Sequence, residues 1–253
     1  MKVEDVLSIA LDIGENMLEC GAAVNRVEDT IARICRSYGV QKVEVFSINF
    51  LSLVSAVDEE GHAVTRTKRT HSLTTNLYQL ELFNALSRYV CSNQPTMEEI
   101  ERKKQEIFSK DKNIGWLSCF GYFIATGSFA IYFGGSLLDG LAAALISLFV
   151  FAANRYTRKK STNQLVHTVV MTTFAGVLAI LLVRLGIGQH VDKVMIGDIM
   201  LFIPGLVMVN SIRDMLYGDI MTGLFRLVEA ILVALAIAGG MAVSLLVLGG
   251  LLP

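Results

Sequence analysis

The chain has 253 residues, 53% of them hydrophobic, and a formal charge of −1, a balance that suits an ordinary globular protein and offers no basic excess for nucleic acid. The distribution excludes a single solvent. Of the Asp, Glu, Lys and Arg residues, 31 lie between Lys2 and Lys112 and 14 in the 141 residues that follow.

Residues 3–20 place Val6, Ile9, Ile13, Met17 and Cys20 on one helical face, with Asp5, Asp12, Glu15 and Glu19 opposite or flanking it. Those regularly spaced acids do not form the basic tip and apolar core of a secretory signal. The first hydrophobic run is therefore expected to act as the membrane signal, leaving the preceding domain in the cytosol. Gly21 ends the first helix. Val24, Val27, Ile31, Ile34 and Tyr38 repeat the pattern in a second, which stops at Gly39. From Val43 to Val57 β-branched and aromatic residues dominate. Asp58-Glu-Glu-Gly61 then turns the chain into Ala63 to Thr70, predicting a β-hairpin. Leu73 to Val90 and Thr96 to Phe108 return to helix, with Thr96 as cap and Glu98 and Glu99 in the first turn. Residues 1–112 thus read as a cytosolic α+β domain.

This domain holds His62, His71 and several Ser and Thr, but no G-x-S-x-G, P-loop, H-E-x-x-H or Gly-rich nucleotide loop. His62 reads as a solvated loop residue. Arg66, Lys68, Arg69 and His71 form either an anion patch or a solvated strand end. Arg26 and Glu28 point to different sides of their helix, so no direct salt bridge is expected between them. Cys20, Cys35, Cys91 and Cys119 lack paired spacing and read as reduced packing residues, with no metal or cofactor implied.

After Lys112 the uncharged runs are long enough for about five spans, since one span needs about 20 mainly apolar residues. They lie near 114–134, 136–155, 164–185, 195–212 and 222–250, making residues 113–253 an α-helical polytopic membrane domain. The fourth span must admit Asp198. Arg102, Lys103, Lys104, Lys110 and Lys112 precede the first span, and Arg155, Arg158, Lys159 and Lys160 join the second and third. The opposite loops, around Gly134 to Asp139 and Gly186 to Lys193, have almost no Lys or Arg. The positive-inside rule then puts the N-terminus in the cytoplasm and, with five spans, the C-terminus outside.

Small residues in the first and last spans, Gly115, Gly121, Gly127, Ala230, Ala234, Ala238 and Gly240 among them, suit close helix packing. In the third span Gln164, His167, Thr168, Thr172 and Thr173 have two readings. They line a wet path on which His167 exchanges protons, or the hydroxyls bond their own backbone and His167 sits at headgroup level. Pro204 and Gly205 predict a kinked or unwound fourth span. Arg213, Asp214 and Asp219 fall where spans four and five meet, as a solvated cytoplasmic turn or a gate. Arg226 and Glu229 share a helical face with Asp219, Gly223 and Ala230. They are either a self-neutralising pair inside the bilayer or interfacial residues.

These residues resemble the threonine/serine exporter family, in its split form, over nearly the whole chain. The N-terminal part of the likeness is Cys20-Gly21-Ala22, Asn25-Arg26-Val27-Glu28-Asp29 and Tyr38-Gly39. The membrane part is Pro204-Gly205, Asn210, Arg213-Asp214, Gly218-Asp219, Gly223, Arg226 and Glu229-Ala230. The resemblance implies a secondary transporter in the cell membrane that exports small hydroxy amino acids, or a dicarboxylate such as succinate, driven by the proton gradient. It also implies a second small integral-membrane subunit or a homo-oligomer. In that role Arg213 and Arg226 attract the substrate carboxylate, while Asp214, Asp219 and Glu229 bind protons or pair the arginines. The competing class is a membrane-anchored sensor or hydrolase-like domain exposing Arg26, Glu28 and the Arg66 to His71 patch, with the membrane half structural. No complete nucleophile, base and orienter supports an enzyme.

Overall fold

The helical period of the first forty residues is realised as α1 (Val3–Glu19) and α2 (Val24–Ser37). The computed structural model describes residues 2–40, 42–57, 61–70, 74–110, 115–157 and 163–251. The expected turn at Asp58 to Glu60, the helix start at Leu73, His71, and the basic residues Lys112 and Arg158 to Lys160 lie outside them. Gly21, at φ +93°, lets α1 stop abruptly. Its N–H donates to the Leu18 carbonyl at 2.9 Å and that of Ala22 to the Met17 carbonyl at 3.0 Å, a Schellman closure. The predicted apolar face is buried, joined by Leu7, Leu11 and Leu18. α1 is enclosed on several sides, because α2, two strands and α3 all pack on it.

Among the described residues the strands number three, not two. β1 (Val43–Ile48), β2 (Leu51–Val57) and β3 (Ala63–Arg69) form an antiparallel sheet in the order β1-β2-β3. The expected single run from Val43 to Val57 reverses at Asn49-Phe50, pairing Ile48 with Leu51 and Val43 with Ala56. No Gly or Pro marks that turn, so the β-branched pattern hides it. α3 (Leu77–Asn93) is capped by the Asn76 side chain, which accepts the Gln79 N–H at 3.1 Å, and α4 (Met97–Lys110) follows.

The charged residues of β3 are answered by α1. Lys68 reaches Asp12 at 2.7 Å and Glu15 at 3.3 Å, and Arg66 reaches Glu4 at 3.0 Å. The hydrogen bond to Asp12 holds the Lys68 ammonium above its ordinary value. These cations therefore tie β3 to α1. Cys20 and Cys35 are buried, and burial pushes the Cys35 thiol up to about 12, the behaviour of an inert packing residue.

By its contacts the chain divides into two compact units, Met1–Lys112 with Val209–Arg226, and Asn113–Met208 with Leu227–Pro253. The second contains α5 (Gly115–Tyr132), α6 (Leu137–Thr157), α7 (Gln164–Arg184), α8 (Val191–Ile199), the start of α9 (Gly205–Leu216) and most of α10 (Ile220–Leu248). Among the described residues three helices, α6, α7 and α10, are long and apolar enough to cross a membrane. The fourth expected span is two helices. α8 stops at Ile199, a tight turn carries Phe202 N–H to the Ile199 carbonyl at 2.9 Å, and α9 starts after Pro204, whose ring cannot continue a helix.

Small residues bring backbones together within this unit. A Cβ on Gly127 would lie 3.0 Å from the Gly140 carbonyl, fixing α5 on α6, and one on Gly240 would lie 2.6 Å from the Val169 carbonyl, fixing α10 on α7. Asp139, at the boundary between an expected loop and the expected second span, is in the first turn of α6 and fully buried. It accepts from Ser136 N–H and Oγ at 2.8 Å and from His190 N–H and Nδ1 at 2.8 and 2.9 Å.

Candidate functional site

α9 and α10 form a tight helical hairpin. Gly218, at φ +98°, closes α9, with its own N–H on the Met215 carbonyl at 3.1 Å and the Asp219 N–H on the Asp214 carbonyl at 3.0 Å. The Asp219 carbonyl then accepts the Gly223 N–H at 2.9 Å and opens α10. Gly223 permits the close approach, since a Cβ there would lie 2.6 Å from the Ser211 carbonyl and collide with Met215.

This hairpin sets Arg226 opposite Asp214. Nη1 donates to Asp214 Oδ2 at 2.7 Å, Nε to Asn49 Oδ1 at 2.9 Å, and Nη2 to the Ala22 carbonyl at 3.0 Å. The two charged side chains are 5% and 2% exposed, so the ion pair is removed from water. Such a pair needs further hydrogen bonds to offset desolvation, and Asn49 and Ala22 provide them. Asn49 also donates to the Thr222 carbonyl at 3.4 Å, and Phe50 meets Phe225 edge to face at 5.5 Å. The β1–β2 turn and the closure after α1 thus converge on the first turns of α10.

Glu28 lies in the same unit. Its Oε1 accepts the Ser47 N–H at 2.6 Å, satisfying a donor on edge strand β1. Burial pushes its carboxyl above the ordinary glutamate value; the Ser47 N–H opposes this and the Asp219 charge adds to it. Arg26 is exposed.

The expected site residues separate. Asp214 and Arg226 come together, and Asp214 is a buried helical residue rather than part of a solvated turn. Arg213 is exposed, and Asn210 and Asp219 are half-buried. Pro204 is half-buried and Gly205 exposed at the α8–α9 break, and Glu229 is exposed on α10. In the second unit the Thr hydroxyls of α7 bond backbone. Thr168 donates to Gln164 O, Thr172 to Thr168 O, and Thr173 to both Val169 O and Gly240 O. His167 Nε2 lies 3.0 Å from Thr157 Oγ1.

The sequence reading gave neither Asn49 nor the Ala22 carbonyl a place at the site. The signal for Asn49 was a turn-forming Asn within an otherwise apolar β run. Ala22 contributes a carbonyl, which no residue type reveals.

A family model described as "Putative threonine/serine exporter" matches residues 8–248. The chain belongs to the threonine/serine exporter family. Among its relatives in that family, the "Probable succinate transporter subunit YjjP" of Escherichia coli (strain K12) is 23% identical, with 96% of this chain and 95% of that protein aligned. The "Threonine/serine exporter" of Corynebacterium glutamicum is 21% identical over 96% of this chain but 51% of its own length. The "Probable threonine/serine exporter" of Mycobacterium tuberculosis is 22% identical over 95% and 46% respectively. This chain therefore spans about half of these two longer exporters and nearly all of the subunit. No solved structure matches.

Proposed function

We propose that this threonine/serine exporter homologue is the larger subunit of a two-component secondary transporter in the cell membrane. It exports small hydroxy amino acids or a small dicarboxylate, in exchange for protons. The observation that carries the reading is the buried Arg226 fork closed by Asp214. A guanidinium is shaped for a carboxylate, and here Asp214 occupies the place that a substrate carboxylate would take. Exchange of one carboxylate for the other would bind substrate without leaving the arginine charge uncompensated, and Asn49 and Ala22 would keep the fork oriented. Asn210, Arg213, Asp219 and Glu229 would guide the substrate toward it, and the Pro204-Gly205 break would offer backbone ligands. Around this the reading places residues 1–112 in the cytosol, five spans, and the C-terminus outside.

The separate subunit named in Escherichia coli, and the double length of the two longer exporters, support a second membrane subunit for this chain. Flux in proteoliposomes over threonine, serine and succinate, with and without a pH gradient and a candidate second subunit, tests the function. Arg226→Ala is expected to abolish flux measured per folded protein recovered in the proteoliposomes, and Glu229→Gln to reduce it strongly. Wild-type flux from both variants would remove these residues from the mechanism. Retained flux after deletion of residues 1–110, with the partner present, would limit the N-terminal region to a supporting role.

A further inference from the structure

α8 carries a carboxyl that nothing else in its unit explains. Asp198 is 0% exposed, and among the described residues neither Oδ1 nor Oδ2 has a hydrogen-bond partner. Buried polar groups are ordinarily paired, and every other buried carboxylate described above has donors. Asp139 in the same unit accepts from Ser136, Gln189 and His190, and Asp214 in the other is held by Arg226.

The surroundings are apolar. α8 packs against α5 and against α6 and α7, two of the three helices long and apolar enough to span. The adjacent Gly197 lies so close to α5 that a Cβ would sit 2.8 Å from the Thr126 carbonyl and 2.9 Å from the Ala130 Cβ. Thr126 is itself well inside α5, about 9 Å along the axis from Tyr132 at 1.5 Å per residue. Val194 and Met195, on the same helix, join a buried cluster with Ala142, Ile146 and Ile180.

The titratable groups on the elements packed together here are Asp139, Arg155 and Tyr156 on α6, His167 and Arg184 on α7, and Asp192 and Lys193 on α8 itself. α5 adds only Cys119, Tyr122 and Tyr132 among titratable side chains. None of them bonds to Asp198. Asp192 pairs with Lys193 and Asp139 with His190. An ionised carboxylate without a donor or counter-charge in such a place is strongly disfavoured, and a carboxyl neutralises itself by taking a proton.

We infer that Asp198 is the proton-binding carboxyl of the membrane unit, loaded with a proton in this conformation and releasing it when the α8–α9 break moves it toward water. This rests on the proton-coupled reading above and names the residue that would carry the coupling. Protonation and release change only the O–H bond of the carboxyl, with the proton exchanged with water on either side.

The test uses the full chain purified in lipid and needs no known substrate. Infrared spectroscopy reads the C=O stretch of protonated carboxyl groups at neutral pH. The expected result is a band lost in Asp198→Asn and restored at a shifted frequency in Asp198→Glu. A band unchanged in Asp198→Asn overturns the inference. If that variant does not reach the membrane, the Asp198→Glu shift decides alone, its absence overturning the inference. With the second subunit, Asp198→Asn is expected to lose pH-gradient-driven accumulation while retaining substrate-for-substrate exchange; retained gradient-driven accumulation, or drive by a sodium gradient alone, also overturns it. A wild-type protein that moves none of the substrates sinks the transport proposal, while the infrared band still decides on Asp198.

Discussion

Arg226 and Asp214 are the residues on which the first unit's polar interior depends. Removing one partner of a buried ion pair leaves the other charge uncompensated, at a cost of about 3–5 kcal/mol. Arg226→Ala should therefore lower the thermal midpoint of the detergent-solubilised protein markedly. Arg226→Lys should recover little, because an ammonium cannot reach Asp214, Asn49 and the Ala22 carbonyl in the directions a planar fork does. Glu28 makes a prediction in pH. Its folded carboxyl lies above its ordinary value, so the folded state holds the proton more tightly than the unfolded chain. That contribution is fully present below the ordinary glutamate value and is lost as pH rises through the raised one. Glu28→Gln keeps an acceptor for the Ser47 N–H without the charge. Stability of the variant, measured by denaturation from acid to neutral pH, should fall less with rising pH than that of the parent, and the two should converge at the acid end.

The α9–α10 hairpin is the element that builds the candidate site, and Gly223 is where its two helices leave no room for a Cβ. Gly223→Val would drive a branched side chain into the Ser211 carbonyl and Met215, and overpacking of this kind costs about 1–3 kcal/mol. Separation of the helices would also pull Asp214 from Arg226, so loss of transport should accompany the loss of stability. Gly218→Ala, which forces φ +98° on a residue with a Cβ, should destabilise by about 1 kcal/mol without a clash; equilibrium denaturation separates the two effects. The same elements show what a sequence can and cannot report. The Pro204-Gly205 break was legible because proline acts locally. The Asn49-Phe50 turn was hidden because its signal is one Asn in a β-branched run, and the expectation of two strands where the sheet has three followed from missing it. The charged patch on β3 was visible, but its partners Glu4, Asp12 and Glu15 lie some fifty residues or more away on α1.

For the whole molecule, the informative fact is that the first compact unit takes in Val209–Arg226 as well as Met1–Lys112. A fragment of residues 1–112 lacks Asp214, Thr222, Phe225 and Arg226, and so uncovers Asn49, which is 2% exposed in the full chain, and the part of the Phe50 ring that meets Phe225. Such a fragment is expected to self-associate in solution. A fusion that appends residues 205–226 should suppress this, as sedimentation would show; a monodisperse, fully stable 1–112 fragment would contradict the shared unit.

The sequence by itself determined the uneven division of charge, the amphipathic helices of the first forty residues, the helix break at Pro204 and the family pattern. Each is written in local spacing or in composition, where the relevant physics acts over one or two turns of chain. Tertiary structure alone decided that Arg226 pairs with Asp214, that Asn49 and the Ala22 carbonyl bond the same guanidinium, and that Asp198 is buried with no donor among the described residues. Those outcomes depend on which groups from distant segments share a volume closed to water, and on whether a charge there finds a partner.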